Sequence, residues 1–265
     1  MTYWDAHNHL HDVRLAAGRD SFLGELANLP LGGAVVNGTR EDDWDAVASI
    51  SRDHAWIAAS YGLHPWNAPA RSVQWLERLR EHLKSDPRAG VGEIGLDRWI
   101  EGHDLDLQRT VFIEQLRLAV ELERPATIHC LRAWGALHEV LQDGLVPTRG
   151  FLLHAYGGPA EMVEGFVRSG AYFSFSPSFL QERKAAQRRV FASIPRNRLL
   201  VETDAPDLYP PVEFNPRPIF DSDGKPLNHP ANIDVAYRGL AEVCGMEVAD
   251  LEPVIAENYR RLFET

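Results

Sequence analysis

The chain has 265 residues, of which 45% are hydrophobic and 25% charged, and this composition predicts a folded protein with a full core. Its formal net charge of −11 excludes the broad basic surface that drives non-specific binding to nucleic acid. Only two cysteines are present, which excludes a disulfide framework and is typical of a reducing compartment. We therefore expect one cytoplasmic domain over residues 1–265, with no signal peptide and no membrane span.

Eight short β-like runs alternate with helical segments, and this alternation is the main indication of the fold. The predicted strands cover residues 3–8, 33–37, 56–61, 90–94, 126–130, 151–154, 171–174 and 199–203. Helices are predicted over 71–84, 108–122 and 252–263. The first should bury Val73, Leu76, Leu79 and Leu83, and the second Val111, Leu116, Ala119 and Leu122.

Eight strand and helix repeats in a chain of this length predict an α/β fold, a closed (β/α)8 TIM barrel. An open doubly wound sheet is the alternative, although no glycine-rich dinucleotide fingerprint follows the first strand. Residues 205–230 hold seven of the 17 prolines and are too long for an ordinary connection. We expect them to form a functional loop over the barrel mouth.

Polar residues stand where the predicted strands end, which is where barrel enzymes carry their catalytic groups. In chain order they are His7, His9, His64, Glu93, His129, His154 and Asp204. Asp5, His7 and His9 alternate along the first strand and should all face the barrel interior, where polar groups must be paired or bind a metal. His11 extends the alternation but is expected to lie beyond the strand, in a loop.

Each of these residues alone also has a structural explanation. Glu93 could pair with Arg98, Asp204 could cap a helix, and His129 and His154 could be hydrogen-bonded core histidines. Four histidines and two carboxylates together favour metal binding instead, because zinc and manganese accept such ligands.

The ligands divide between two ions that share one carboxylate: one ion is held by His7, His9 and Asp204, the other by His129 and His154, and Glu93 bridges them. A shared water would lose a proton near neutral pH and act as the nucleophile. Asp204, Glu93 and His64 are the predicted catalytic residues, with Asp204 as general base.

An acidic chain needs a local source of positive charge if its substrate is a polyanion. The two ions could supply it, and so could a basic run made of Arg183, Lys184, Arg188 and Arg189. The alternative interpretation of that run is a solvated helix face.

With these motifs, the chain resembles the TatD family of metal-dependent nucleases, in the amidohydrolase-like superfamily, over nearly its whole length. The matching segments are Asp5-Ala-His7-Asn-His9, Tyr-Gly-Leu-His64-Pro, Gly-Glu93-Ile-Gly-Leu-Asp97, Ile-His129-Cys and Glu202-Thr-Asp204-Ala-Pro. The resemblance implies the same ligand division, with His7, His9, Glu93 and Asp204 on the first metal and Glu93, His129 and His154 on the second. It also implies hydrolysis of phosphodiesters, often from a 3′ end of DNA, with magnesium, manganese or zinc.

The chain departs from the family pattern at three places. Members usually carry an arginine directly after His-Cys, whereas here Leu131 precedes Arg132. Leu-Asn228-His-Pro replaces Arg-Asn-Glu-Pro, and Ala-Tyr-Gly-Gly replaces Cys-Phe-Ser/Thr-Gly after His154. Both missing arginines would be expected to contact a phosphate. The predicted substrate-binding residues are His64, Arg132 and Asn228.

The first hypothesis for function is a two-metal deoxyribonuclease of 3′ exonuclease type. The second keeps the site but hydrolyses a small ester, amide or lactone. The third is a catalytically weak barrel that acts as a partner subunit. Under the first hypothesis we expect two divalent ions per chain, DNA as substrate, and neither a membrane nor an obligate protein partner.

Overall fold

The computed structural model describes residues 1–264, and its main feature is one sheet of eight parallel strands, each hydrogen-bonded to the next in chain order. The strands are β1 (Tyr3–Asn8), β2 (Leu31–Asn37), β3 (Ile57–Tyr61), β4 (Gly90–Asp97), β5 (Ala126–Leu131), β6 (Phe151–Leu153), β7 (Ala171–Phe175) and β8 (Leu199–Val201). All eight predicted strands are present, with ends that differ by up to three residues.

Two backbone hydrogen bonds join the chain after β8 to the end of β1. The Asp204 amide donates to the carbonyl oxygen of His7 at 2.9 Å, and the His9 amide donates to that of Ala205 at 2.8 Å. The last strand therefore returns to the first. The predicted (β/α)8 barrel is confirmed, and the open sheet is wrong.

Within residues 1–264, nine α-helices accompany the strands. They are α1 (Arg19–Asn28), α2 (Trp44–Asp53), α3 (Trp75–Ser85), α4 (Leu105–Glu121), α5 (Trp134–Gln142), α6 (Ala160–Arg168), α7 (Ala185–Ser193), α8 (Ile233–Cys244) and α9 (Val248–Phe263). None of these helices has the length and apolar character that crossing a membrane requires.

The two faces of β1 show how the barrel is filled. Trp4 packs against Tyr259 of α9 with ring centroids 4.8 Å apart, so the alternate residues Asp5 and His7 face the interior, as predicted. The Asp5 carboxylate accepts hydrogen bonds from the amide and hydroxyl of Thr203 at 3.0 and 2.6 Å. Burial raises the pKa of Asp5 to about 7, although these hydrogen bonds act to lower it. Asp5 thus links β1 to the end of β8.

The prediction that Val73 packs on the inner face of a helix is wrong. Helix α3 begins only at Trp75, which is buried, and Val73 is fully exposed before it. The amide and hydroxyl of Ser72 both donate to the Glu41 carboxylate at 2.7 Å. This contact holds the chain in a non-helical conformation just before the helix.

Residues 205–230 are less irregular than their sequence suggested. They contain a short antiparallel pair, β9 (Ile219–Phe220) with β10 (Pro226–Leu227). Asn228 follows this pair, and its side-chain amide donates to the carbonyl oxygen of Thr203 at 2.7 Å. Its Oδ1 accepts from Asn232 at 3.0 Å, and the side chain is fully buried. Asn228, predicted to bind substrate, therefore anchors the loop to the barrel and leaves no side-chain atom exposed for a ligand.

Candidate metal centre

Glu93 lies between two groups of donor atoms and faces one group with each carboxylate oxygen. Its Oε2 is 3.5 Å from Nε2 of His7 and 3.3 Å from Nε2 of His9. Its Oε1 is 3.1 Å from Nδ1 of His129 and 2.9 Å from Nε2 of His154. The structure therefore brings together predicted ligands that are up to 147 positions apart in the sequence, around one carboxylate.

The first group is completed by Asp204. Its Oδ1 is 3.2 Å from Nε2 of His7 and 3.4 Å from Nε2 of His9, and the two histidine nitrogens are 3.2 Å apart. Ligands at the usual bond lengths around a tetrahedral zinc ion lie about 3.4 Å from one another. The spacing of these atoms, together with Glu93, therefore fits a divalent ion.

The second group is smaller. Nδ1 of His129 and Nε2 of His154 are 3.1 Å apart, and Oε1 of Glu93 supplies the third donor atom. Three protein ligands leave room for water or substrate, which is typical of catalytic rather than structural metal sites.

The purely structural roles considered for Glu93 and Asp204, an ion pair with Arg98 and a helix cap, do not match this arrangement. Within residues 1–264, every ion-pair partner of Glu93 is a histidine, and Arg98 is not among them. No α-helix begins directly after Asp204, whose left-handed φ of 56° instead starts a turn. Aspartate adopts that conformation more readily than most residues.

His64 lies beside the second group as a hydrogen-bond donor. Its Nδ1 accepts a hydrogen bond from the amide of Trp66 at 3.2 Å, so Nε2 carries the proton of the neutral ring. Burial, followed by the charge of His129, lowers the pKa of His64 to about 3, which keeps the ring neutral. Nε2 points towards Oε1 of Glu93, 3.6 Å away.

Two of the clustered histidines are oriented by a hydrogen bond at their second ring nitrogen, and a third faces a carboxylate there. Nδ1 of His9 donates to the carbonyl oxygen of Asn37 at 2.7 Å, and Nε2 of His129 donates to Asp97 at 2.9 Å. Nδ1 of His154 faces the buried carboxylate of Glu202 at 3.7 Å. The hydrogen-bonded partners of His9 and His129 fix the tautomer that leaves a lone pair for the metal.

Asp97 and Glu202 were missed as functional candidates, although the strand period contains the signal for Asp97; Glu202 and Asp204 lie after the end of β8. Asp97 lies four residues after Glu93 on β4, and Glu202 lies two residues before Asp204. Residues at even spacing on a strand point to the same face. The even spacing of Asp97 from Glu93 on β4 is therefore the pattern that indicates its role.

The charges of the cluster favour bound cations. Burial alone would lower the pKa of His9 and His154, but neighbouring carboxylates raise both well above the usual range. Burial alone would raise the pKa of Glu93 and Asp204, but the histidines hold both below the usual range. A divalent ion would replace the protons on these histidines, so metal binding should release protons and strengthen as the pH rises.

The glycines beside Glu93 serve the close packing of the neighbouring strands. A Cβ on Gly92 would lie 2.7 Å from the Cβ of Thr127 on β5. Gly95 has a φ of 147°, and a Cβ there would overlap the carbonyl oxygen of His129. Close contact between β4 and β5 thus sets the position of Glu93 against His129.

Asp97→Asn is expected to weaken the second ion selectively, by about 10- to 100-fold, because His129 loses the negative partner that makes it a strong ligand. Titration of the metal-free protein against a chromophoric chelator measures the two affinities separately. Asp223→Asn, in the exposed turn between β9 and β10, is the control. An unchanged second affinity in a normally stable Asp97→Asn protein would contradict the role of Asp97.

The predicted basic run only partly forms a solvated helix face. Arg183 and Arg189 are exposed, but Arg188 donates to the carbonyl oxygens of Phe179 and Gln181 at 2.7 and 2.9 Å. Lys184 donates to Oγ of Ser178 at 2.8 Å. Two of the four cations therefore fold back onto the segment that follows β7.

Arg132 follows β5 and is exposed, with a left-handed φ of 57°. Its guanidinium makes no ion pair with any of residues 1–264. The same holds for Arg40 after β2 and Arg98 after β4, which are also exposed, and for Lys184. The carboxyl ends of four strands are thus followed by cations that no described carboxylate neutralises.

Comparison with known proteins gives consistent matches over almost the full length. A family model described as TatD related DNase matches residues 4–264. The chain is 29% identical over 259 residues to the 3′-5′ ssDNA/RNA exonuclease TatD of Erwinia tasmaniensis, covering 96% of this chain and 97% of that protein. It is 26% identical over 261 residues to the metal-dependent hydrolase YjjV of Escherichia coli K12, covering 98% and 96%. The crystal structure of YjjV, a TatD homologue, matches with a TM-score of 0.89 at 25% identity, covering 99% of this chain and 98% of that one.

Proposed function

This chain belongs to the family of TatD-related DNases, and on that basis we propose that it is a two-metal hydrolase that removes nucleotides from the 3′ end of single-stranded nucleic acid. The observation that carries the proposal is the position of Glu93, whose two oxygens face two separate groups of metal-binding atoms. A carboxylate placed in this way could serve two ions at once, as a two-metal hydrolase would use it.

Divalent ions in the two groups would polarise a phosphate oxygen and promote deprotonation of water near neutral pH. The side chains of the protein then have distinct tasks. Asp204 accepts the proton of the attacking water as general base, and the Nε2–H of His64 donates to an oxygen of the scissile phosphate. Neutral His64 is suited to this task because its Nδ1 already accepts the Trp66 amide.

Lys184 supports a phosphate-containing substrate despite the missing arginines of the family. The Glu202 amide donates to the Phe175 carbonyl at 3.1 Å, so the segment after β7 lies level with Glu202 and Asp204. The Lys184 ammonium donates a hydrogen bond to Ser178 of this segment, and the negative charges of Asp204 and Glu202 favour its charged form. Burial lowers the pKa of Lys184 to about 8, so the ammonium stays mostly charged at neutral pH. Loops after the seventh and eighth strands form the phosphate sites of many barrels.

Lys184→Met is expected to lower kcat/KM on single-stranded DNA by about 10- to 100-fold, the range for loss of one hydrogen bond to a charged group. Lys184→Arg should recover part of this loss because it restores the charge. Steady-state release of nucleotides measures the effect, and Lys225→Met in the exposed turn before β10 is the control. Equal rates for Lys184→Met and the control would remove Lys184 from the phosphate site.

The polarity of cleavage tests the proposed function. A single strand of DNA labelled at its 5′ end is incubated with the protein and Mn²⁺, and the products are separated by length. We expect a ladder that shortens one nucleotide at a time and that a phosphorothioate linkage at the 3′ end delays. Random internal cuts, or turnover of small esters and lactones with none of DNA, would overturn the proposal.

A further inference from the structure

Two tryptophans are exposed beside the metal centre. Trp66 follows β3 and is 45% exposed, and Trp99 follows β4 and is 55% exposed. Their rings are nearly parallel, with an angle of 25° and centroids 6.2 Å apart. Tryptophan in a folded protein usually buries most of its large surface, so two exposed neighbouring indoles indicate a contact with something outside the chain.

A single carboxylate ties both tryptophans to the second metal group. Oδ2 of Asp97 accepts hydrogen bonds from Nε1 of Trp66 and from Nε2 of His129, each at 2.9 Å. Oδ1 of Asp97 accepts the amide of Trp99 at 2.6 Å. The ring of Trp66 also lies 5.2 Å from that of His64. The indole pair is therefore fixed relative to the atoms that would hold a scissile phosphate.

Shielding of the Asp97 carboxylate does not explain why both tryptophans lie beside it. The Trp66 indole already donates to that carboxylate, whereas Trp99 contributes only its backbone amide and leaves its ring free. Arg98, next to Trp99, is exposed and makes no ion pair with residues 1–264. An aromatic surface beside a free cation is the combination that binds the bases and backbone of single strands.

We propose that Trp66 and Trp99 form a stacking platform for an unpaired base next to the scissile phosphate, and that Arg98 contacts the backbone of the same nucleotide. The proposal rests on the proposed function and specifies its substrate as a strand with free base faces. Bases within a duplex cannot reach the platform because they are already stacked. Stacking tolerates all four bases, so the platform selects single strands without selecting their sequence.

Trp99→Leu tests the platform alone, because the Trp99 ring makes no hydrogen bond to any of residues 1–264 that the substitution would remove. We expect KM for single-stranded DNA to rise about 10-fold, as for loss of one base stack, with kcat and metal content nearly unchanged. Trp99→Phe should retain most of the affinity. Trp56→Leu, on the opposite end of the barrel before β3, is the matched tryptophan control.

Abasic nucleotides identify the partner of the platform. One base at a time is removed from positions near the 3′ end, and KM is measured with wild type and with Trp99→Leu. At one position the loss of the base should raise KM in wild type about 10-fold but have little further effect in Trp99→Leu. Equal increases in KM for both proteins at every abasic position would contradict the proposed platform.

A binding measurement separates this proposal from the proposed function. Oligothymidylate should quench the tryptophan fluorescence of wild type, and of Trp56→Leu, with an affinity that falls about 10-fold in Trp99→Leu. This result requires no turnover, so it stands even if the protein cleaves no phosphodiester. Equal affinities for wild type and Trp99→Leu would refute the platform, and quenching without hydrolysis would refute only the proposed function.

Discussion

Glu93→Gln is expected to lower turnover by about 1,000-fold, or about 4 kcal/mol of activation free energy, and to reduce bound metal from two ions per chain to one or none, because the shared ligand is lost. An amide has one oxygen instead of two. Whichever way it turns, its NH₂ group faces either His7 and His9 or His129 and His154, where the carboxylate oxygens now lie 2.9 to 3.5 Å away. One of the two metal groups therefore loses its shared ligand.

Two measurements on the same preparation check this result: elemental analysis of bound metal and the initial rate of 3′ nucleotide release. Glu121→Gln, at the exposed end of α4, removes a carboxylate of the same size from the surface and should behave as wild type. A Glu93→Gln protein that keeps two ions and most of its activity would show that the carboxylate does not bridge.

Gly95→Ala is expected to prevent stable folding, with a loss above about 4 kcal/mol, which is exceptional for one methyl group. The new Cβ would overlap the carbonyl oxygen of His129, and the φ of 147° is one that alanine rarely adopts. Neither strand can shift easily, because β4 and β5 pair on both sides of this point, at Ile94 with Ile128 and at Leu96 with Cys130.

Chemical denaturation measures this loss of stability, and Gly24→Ala provides the opposite case. Gly24 lies within α1 with no atom close to its added Cβ, so alanine should stabilise the protein by up to about 1 kcal/mol. If Gly95→Ala unfolds at the wild-type denaturant concentration, close packing does not explain the glycine.

The fold and the set of clustered residues could be predicted because both depend on periodic patterns within short segments. Strand alternation placed Asp5 and His7 inside, and the position of polar residues at strand ends placed Glu93 and Asp204 in one cluster. A barrel brings its strand ends together, so local patterns were sufficient to predict which residues meet.

The contacts that the sequence could not predict are those between distant segments. Val73 fits the helical period, but the Glu41 carboxylate fixes Ser72 outside the helix. Asn228 belongs to a segment that resembles a substrate loop, but Thr203 and Asn232 occupy its side chain. Partners 31 and 25 residues away decide these positions, and no local pattern indicates them.

The tryptophan platform shows a different limit. Trp66 and Trp99 stand in separate loops, and each alone would be expected in the core. Their exposure and parallel rings become visible only once β3 and β4 are paired. The feature we propose as specific for single strands was therefore absent from the sequence patterns that predicted the metal centre.

The most direct test of the two-ion centre is a titration of metal-free protein with Mn²⁺ in which bound ions and 3′ nucleotide release are measured together. We predict two ions per chain at saturation, with activity that rises as the second ion binds. His129→Ala should bind one ion, because His7, His9 and Asp204 remain, and should be inactive. Full activity of wild type with one bound ion, or of His129→Ala, would contradict the two-ion centre bridged by Glu93.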